Sequence, residues 1–176
     1  TLKQNASSTI QSFEEEQILL SPDIKDSPDI APLFEAYNRE VAAFFEKKNR
    51  EKKQEKGIFL GVANCKTCHE YFWGKWKETP HSWAWDTLVK REKTSDPDCV
   101  PCHTVGYDQP GGFISINKTP DLVDVQCEVC HGPGGSHAAN FSKRLPPVNE
   151  KTCLQCHNEK HSPDFNYQDY FRQITH

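Results

Sequence analysis

Four copies of one short cysteine motif constrain this chain more than any other feature of its sequence. All eight cysteines of the 176 residues fall into four C-x-x-C pairs, and a histidine follows the second cysteine of each pair. The copies read CKTCH, CVPCH, CEVCH and CLQCH. The cysteines are Cys65, Cys68, Cys99, Cys102, Cys127, Cys130, Cys153 and Cys156, and the histidines that follow them are His69, His103, His131 and His157. This pattern is typical of covalent haem attachment in c-type cytochromes.

The chemistry of haem attachment explains the spacing of the motif. The two thiols add to the two vinyl groups of the porphyrin, and the histidine becomes the proximal ligand of the iron. A zinc ribbon joins two C-x-x-C pairs across about 15–20 residues, whereas the gaps here are longer and the adjacent histidine has no tetrahedral role. A disulfide scaffold does not require the histidine, and a thioredoxin-like site needs one pair. The sequence therefore predicts four haem c groups, each with its iron.

The remaining histidines match the number of distal positions on four irons. They are His81, His137, His161 and His176, and the chain has no methionine that could replace one of them. We therefore expect two histidine ligands on every iron, although one or two of the four could instead be surface residues. His137 follows His131 by six residues and His161 follows His157 by four, too close for opposite faces of one haem. Each is predicted to reach the haem of another motif.

Composition excludes several classes of protein. The net charge of −4 argues against a nucleic-acid-binding surface, and no apolar run is long enough to span a membrane. Hydrophobic residues make up only 35% of the chain, so a core of ordinary size needs another source of buried surface. Because the chain starts at Thr1 and lacks methionine, we expect a mature, processed form. The expected fold class is mainly α with much loop, a multihaem cytochrome c fold whose core is built around four covalent haems.

Two segments are predicted along the chain: an N-terminal arm and amphipathic helix at 1–56, and a tetrahaem cytochrome domain at 57–176. Residues 1–26 are expected to form an extended arm, and a helix is predicted from about Asp29 to Lys56. Its apolar residues recur at three- and four-residue spacing and are expected to pack on the haem core or on a neighbouring subunit. They are Leu33, Phe34, Tyr37, Val41, Phe44 and Phe45. The glycines after His131 are expected to let backbone approach a porphyrin.

Residues 61–161 resemble the tetrahaem cytochromes of the c-554 type. The resemblance rests on NCKTCH, WKETPHSWAWDTL, CVPCHTVGYDQPGGF, VQCEVCHGPGGSH and CLQCH. It implies a mainly α-helical protein with stacked and perpendicular haem pairs. A soluble family member that accepts electrons in ammonia oxidation has one open iron position. The histidine count of this chain could close all four, so we expect no enzymatic activity.

Two further resemblances concern the assembly of the chain. The segment SPDIKDSPDIAPLFEAYNREV resembles the join between a periplasmic metallophosphatase domain and a fused multihaem tail, although residues 1–56 contain no phosphatase metal motif. Small tetrahaem cytochromes of similar size polymerise into extracellular filaments, with haems in a continuous chain. The expected arm and His176 are compatible with such a filament, in which His176 would ligate an iron of its own or of a neighbouring subunit.

The predicted function is electron transfer through four bis-histidine haems, favoured as a subunit of an extracellular filament. The alternatives are a soluble periplasmic shuttle and a multihaem reductase with one open haem. The expected partners are copies of this chain or redox proteins, with no nucleic acid and no membrane span. The expected location is extracellular or at the cell surface, or alternatively periplasmic, in an organism that respires anaerobically.

Overall fold

Short helices joined by long loops make up most of the chain, as the sequence predicts. The structure, a computed structural model, describes residues 2–4, 10–16 and 23–175. The helices are α1 (Ala31–Arg50), α2 (Val62–Lys66), α3 (Glu70–Lys77), α4 (Ala84–Lys90), α5 (Cys127–His131), α6 (Gly135–Ala139), α7 (Glu150–Cys153) and α8 (Tyr167–Ile174). Turns of 3₁₀ helix lie at Pro80–Trp83, Val100–Cys102 and Pro120–Leu122. Only α1 exceeds eight residues among the described elements, so loops and turns position most of the chain.

The chain divides into two compact units, Thr1–Glu35 and Ala36–His176. In the first unit, strand β1 (Leu2–Gln4) pairs antiparallel with strand β2 (Ile10–Phe13), with Leu2 opposite Phe13. The described part of the expected arm is therefore a strand pair. The apolar run at residues 17–20 lies outside the described residues.

Helix α1 ends six residues before the predicted boundary at Lys56. The side chain of Lys118 donates hydrogen bonds to the carbonyl oxygens of Asn49, Arg50 and Lys52, at 2.8, 2.7 and 2.7 Å. The last carbonyls of a helix have no partner within the helix, and a basic side chain can satisfy them. A lysine distant in sequence therefore stabilises the end of α1.

The predicted apolar face of α1 is only partly covered by protein. Val41 and Phe45 are half-buried, whereas Tyr37 and Phe44 are about 60% exposed. Asn49 is buried, and its side-chain amide donates to the carbonyl oxygen of Ile114 at 2.8 Å. Within the second unit, the buried side of α1 is thus offset from the stripe predicted from apolar residues alone.

A small apolar cluster joins the loops of the second unit. Its members are Phe59, Trp85, Leu88, Val100, Val105, Phe113 and Leu122. Backbone bonds fix its centre, because Val105 N donates to Leu122 O at 2.9 Å and Phe113 N donates to Val105 O at 2.8 Å. Seven side chains make a small core for a unit of this length, which agrees with the expectation that bound haems supply buried surface.

In the described part of the chain, no helix has the length and apolar character needed to cross a membrane.

Candidate haem-binding sites

Each C-x-x-C-H motif lies on a tight helical turn. We number the motifs in chain order as site 1 (Cys65, Cys68, His69), site 2 (Cys99, Cys102, His103), site 3 (Cys127, Cys130, His131) and site 4 (Cys153, Cys156, His157). The backbone N–H of His69 donates to Cys65 O and that of His157 donates to Cys153 O, both at 2.9 Å. Such i to i−4 bonds bring the histidine one turn above the first cysteine. The motif can therefore present two sulfurs and one imidazole to a single flat group.

The cysteine sulfurs show which sites are neighbours. The thiol of Cys127 lies beside that of Cys65, and this interaction together with burial raises the pKa of Cys65. The thiol of Cys156 likewise lies beside that of Cys102, and their interaction lowers the pKa of Cys102 to about 7. Site 1 therefore adjoins site 3, and site 2 adjoins site 4.

A longer-range electrostatic interaction links the two pairs of sites. Burial raises the pKa of the Cys130 thiol to about 11, and the nearby Cys153 thiol contributes in the same direction. Cys130 also contributes to the raised pKa of Cys156, after the larger effects of Cys102 and burial. Sites 3 and 4 are thus neighbours, and the sites follow one another in space in the order 1, 3, 4, 2.

The imidazoles of His69 and His137 lie opposite each other. Their ring centroids are 6.2 Å apart, with 24° between the ring planes. Two imidazoles on opposite sides of one metal, each with a metal–nitrogen bond of about 2 Å, have centroids about 6 Å apart. The Nδ1 atom of His137 lies 2.7 Å from the carbonyl oxygen of Lys143. That bond occupies Nδ1 and leaves Nε2 as the ligand atom.

His81 and His157 form a second pair of the same dimensions. Their ring centroids are 6.1 Å apart, with 48° between the planes. Burial lowers the pKa of both imidazoles, and for His81 the neighbouring His157 contributes further. A neutral imidazole is the form that binds a metal. Phe165 stacks on the ring of His157, with the ring centroids 4.8 Å apart and 14° between the planes.

The other predicted ligands are placed differently. The Nδ1 atom of His103 lies 2.7 Å from Ala84 O, but among the described residues no histidine ring lies opposite it at about 6 Å. His131 is half-buried at a cleft lined by apolar side chains that include Phe72, Trp76 and Phe171. His161 is exposed. His176 lies outside the described residues, so its predicted role stays a prediction.

The geometry suits a haem at sites 1, 3 and 4, and the motif itself supplies the attachment residues at site 2. At sites 1 and 4, the centroids of the two imidazole rings are 6.2 and 6.1 Å apart, which would leave room for one metal ion between the rings. The cleft beside Cys127, Cys130 and His131 is mostly apolar, as the faces of a porphyrin require. Haem c, when bound, would be held by the cysteines of each motif and ligated by its histidine.

The loop that carries His137 packs tightly against the start of the haem domain. Gly135 N donates to Ile58 O at 3.0 Å, and a Cβ at position 135 would lie 1.7 Å from the carbonyl oxygen of Gly57. Glycine is required at position 135 because any side chain would overlap the backbone of Gly57. The expectation that these glycines admit a porphyrin did not anticipate this contact.

Sequence reasoning missed Glu128, which lies inside the third motif. It is only 3% exposed, although charged residues are almost never fully buried without partners. The two variable positions of C-x-x-C-H carry no signal that could have marked it. Its contacts belong to two other segments of the chain, which only the folded structure brings together.

Comparisons with known proteins match part of this chain to a cytochrome family. Residues 64–132 match the family described as cytochrome c554 and c-prime. Cytochrome c-554 of Nitrosomonas europaea is 36% identical to this chain over 100 residues, and the match covers 48% of this chain and 43% of that protein. The chain thus spans less than half the length of this curated relative.

A solved structure shows the same fold. The reduced state of cytochrome c554 from Nitrosomonas europaea is similar with a TM-score of 0.52 and 23% identity, over 65% of this chain and 82% of that one. The predicted fold class is confirmed, and the comparisons also support the predicted cofactor, four c-type haems with iron. Over residues 64–132 this chain is therefore similar to the cytochrome c554 and c-prime family, and it shares the mainly α-helical multihaem fold of cytochrome c554.

Proposed function

We propose that this chain is an electron-transfer protein whose four haem sites form one continuous series. The observation that carries the proposal is that thiols of different motifs interact: Cys65 with Cys127, Cys102 with Cys156, and, at longer range, Cys130 with Cys153. Haem c supplies one-electron exchange between ferric and ferrous iron when it is bound. The residues of this chain place the four attachment points in the spatial order 1, 3, 4, 2, so that sites 1 and 2 lie at the two ends.

The histidine pairs support electron transfer over catalysis. The separations of His69 from His137 and of His81 from His157 would allow each pair to ligate one iron, at site 1 and at site 4. An iron with two strong ligands has no position for a substrate. The roles that we assign are covalent attachment for the cysteines, proximal ligation for the motif histidines and distal ligation for His81 and His137.

A pair of double variants tests both the motifs and the order of the sites. Cys127→Ala with Cys130→Ala removes an interior site, and Cys99→Ala with Cys102→Ala removes an end site. Each protein should carry three haems by mass. Electrons supplied at one end should cross the first variant more slowly than the second, measured by stopped-flow reduction. Retention of four haems would refute the attachment assignment, and equal rates would refute the order.

Among the possible kinds of electron-transfer protein, we favour a subunit of an extracellular filament. Electron entry and exit at opposite ends of the series suit end-to-end contact between copies. Tyr37 and Phe44 of α1 leave large aromatic surfaces exposed that a neighbouring copy could cover. Negative-stain electron microscopy of native material should show filaments with a short axial repeat. Dispersed small particles would instead support a periplasmic shuttle, whose net charge of −4 suits a basic redox partner.

A reductase is a second candidate because of site 2. Among the described residues no histidine faces His103, and His161 is exposed. If that iron lacks a sixth ligand, the protein should show a high-spin ferric signal in electron paramagnetic resonance and should bind carbon monoxide when reduced. Entirely low-spin haem with no carbon monoxide adduct would exclude this candidate.

A further inference from the structure

One buried carboxylate connects the parts of the chain that build sites 1 and 3. Glu128 accepts hydrogen bonds from Leu60 N at 3.1 and 3.0 Å, from Gly61 N at 2.8 Å and from Gly134 N at 2.7 Å. In all of these bonds the side chain accepts, which is the role of a carboxylate rather than of a carboxylic acid. Hydrogen bonds to a charged group are stronger than those between neutral groups. The contacts therefore make a strong clamp between three segments.

The three segments all lead to ligands of the proposed haems. Gly61 immediately precedes α2, which contains Cys65. Gly134 immediately precedes α6, which contains His137. Glu128 itself lies between the two cysteines of site 3. One side chain thus joins the attachment segment of site 1, the loop with the histidine opposite His69, and the third motif.

In the described part of the chain, the hydrogen bonds to this carboxylate come from backbone amides. Among the described residues, no lysine or arginine forms an ion pair with Glu128, and the ion pairs of the chain lie elsewhere. A buried negative charge interacts more strongly with its surroundings than an exposed one, because solvent screens it less. Net charge near a haem is one of the factors that set its reduction potential.

We propose that Glu128 is a positioning residue with an electrostatic function. It holds His137 opposite His69, and it places a fixed negative charge between sites 1 and 3 that favours ferric iron there. This inference rests on the proposed function, because it requires haems at those two sites. It assigns lower reduction potentials to sites 1 and 3 than the same sites would have without the charge.

Substitutions at Glu128 separate the charge from the clamp. Glu128→Gln preserves the size of the side chain and removes the charge, so the potential of at least one haem should rise in a spectroelectrochemical titration. Glu128→Asp keeps the charge on a shorter side chain, so it should keep potentials close to wild type while a high-spin fraction appears as His137 loosens. Glu70→Gln is the matched control, since Glu70 is exposed, immediately follows His69 and carries the same charge. It should shift the potentials much less.

The outcomes distinguish this inference from the proposed function. A wild-type chain without four haems by mass would refute the proposed function. With four haems present, unchanged potentials in Glu128→Gln would overturn the inference. Equal shifts in Glu128→Gln and Glu70→Gln would also overturn it, because burial would then confer no special effect. If Glu128→Gln does not fold, Glu128→Asp tests the positioning role of the side chain. A fully low-spin spectrum in Glu128→Asp would overturn that role.

Discussion

Substitution of Gly135 by alanine should test how the loop that carries His137 is held. The new Cβ would lie 1.7 Å from Gly57 O, whereas ordinary contacts begin at 3.4 Å. Because the clash is with backbone, no rotamer change can relieve it, and the loop must move. Overpacking of this kind costs about 1–3 kcal/mol, and loss of the bond from Gly135 N to Ile58 O adds about 1 kcal/mol. We expect a total destabilisation of about 2–4 kcal/mol.

Two measurements test the Gly135→Ala variant. Thermal unfolding followed in the Soret band should show a midpoint lower by roughly 5–15 °C, from about 2–4 °C per kcal/mol for a chain of this size. Electron paramagnetic resonance should show high-spin iron at one haem, since His137 follows Gly135 by two residues.

Gly74→Ala is the matched control for this experiment. Gly74 lies inside α3, and nothing lies within 4 Å of an added Cβ there. The free energy of unfolding of this variant should be higher than that of the wild type by about 0.5–1 kcal/mol, because alanine restricts the unfolded chain more than glycine does. A Gly135→Ala protein with wild-type midpoint and low-spin iron would refute the reasoning, because the loop would then be free to move without cost.

Three further predictions concern single contacts. His81→Ala should convert one haem from low-spin to high-spin, since His81 lies opposite His157; an unchanged spectrum would contradict the pairing. Lys118→Met should destabilise the end of α1 by about 1–3 kcal/mol through loss of its hydrogen bonds to three carbonyls, measured by hydrogen exchange, whereas Lys53→Met at an exposed position should not. Burial raises the pKa of Asp124, so the folded state loses stability as pH rises from the ordinary carboxyl pKa through the raised one. Asp124→Asn, which suits the positive φ of 73°, should therefore raise the thermal midpoint at neutral pH and leave it unchanged well below the ordinary carboxyl pKa; a gain of equal size at both pH values would contradict this explanation.

The haem motifs were predictable because attachment chemistry requires local spacing. A cysteine pair and the next histidine must lie within one turn, and the structure shows such turns at Cys65–His69 and Cys153–His157. Helix α1 also begins within two residues of its predicted start at Asp29. These features depend on residues that are close in sequence.

The pairing of distant residues could not be predicted in the same way. The sequence indicates that His137 should leave its own motif, but the contact with His69 spans 68 residues and depends on the fold of the intervening loops. The hydrogen bonds of Glu128 and of Lys118 could not be predicted for the same reason, because each side chain joins segments more than 60 residues apart. Local propensity contains no information about such contacts.

The cysteine contacts also bear on how the chain reaches its folded state. Before haem attachment, Cys65 and Cys127 would be neighbouring thiols, as would Cys102 and Cys156. Neighbouring thiols in an oxidising compartment form disulfides, and the pKa of about 7 at Cys102 makes its thiolate the more reactive member of its pair. A chain that folded first would therefore risk joining thiols from two different haem sites. Because the apolar cluster of the second unit is small, a chain without haem has little buried surface with which to reach that state. A small protein core is thus compatible with attachment before folding, an order that would keep the cysteines from pairing with one another.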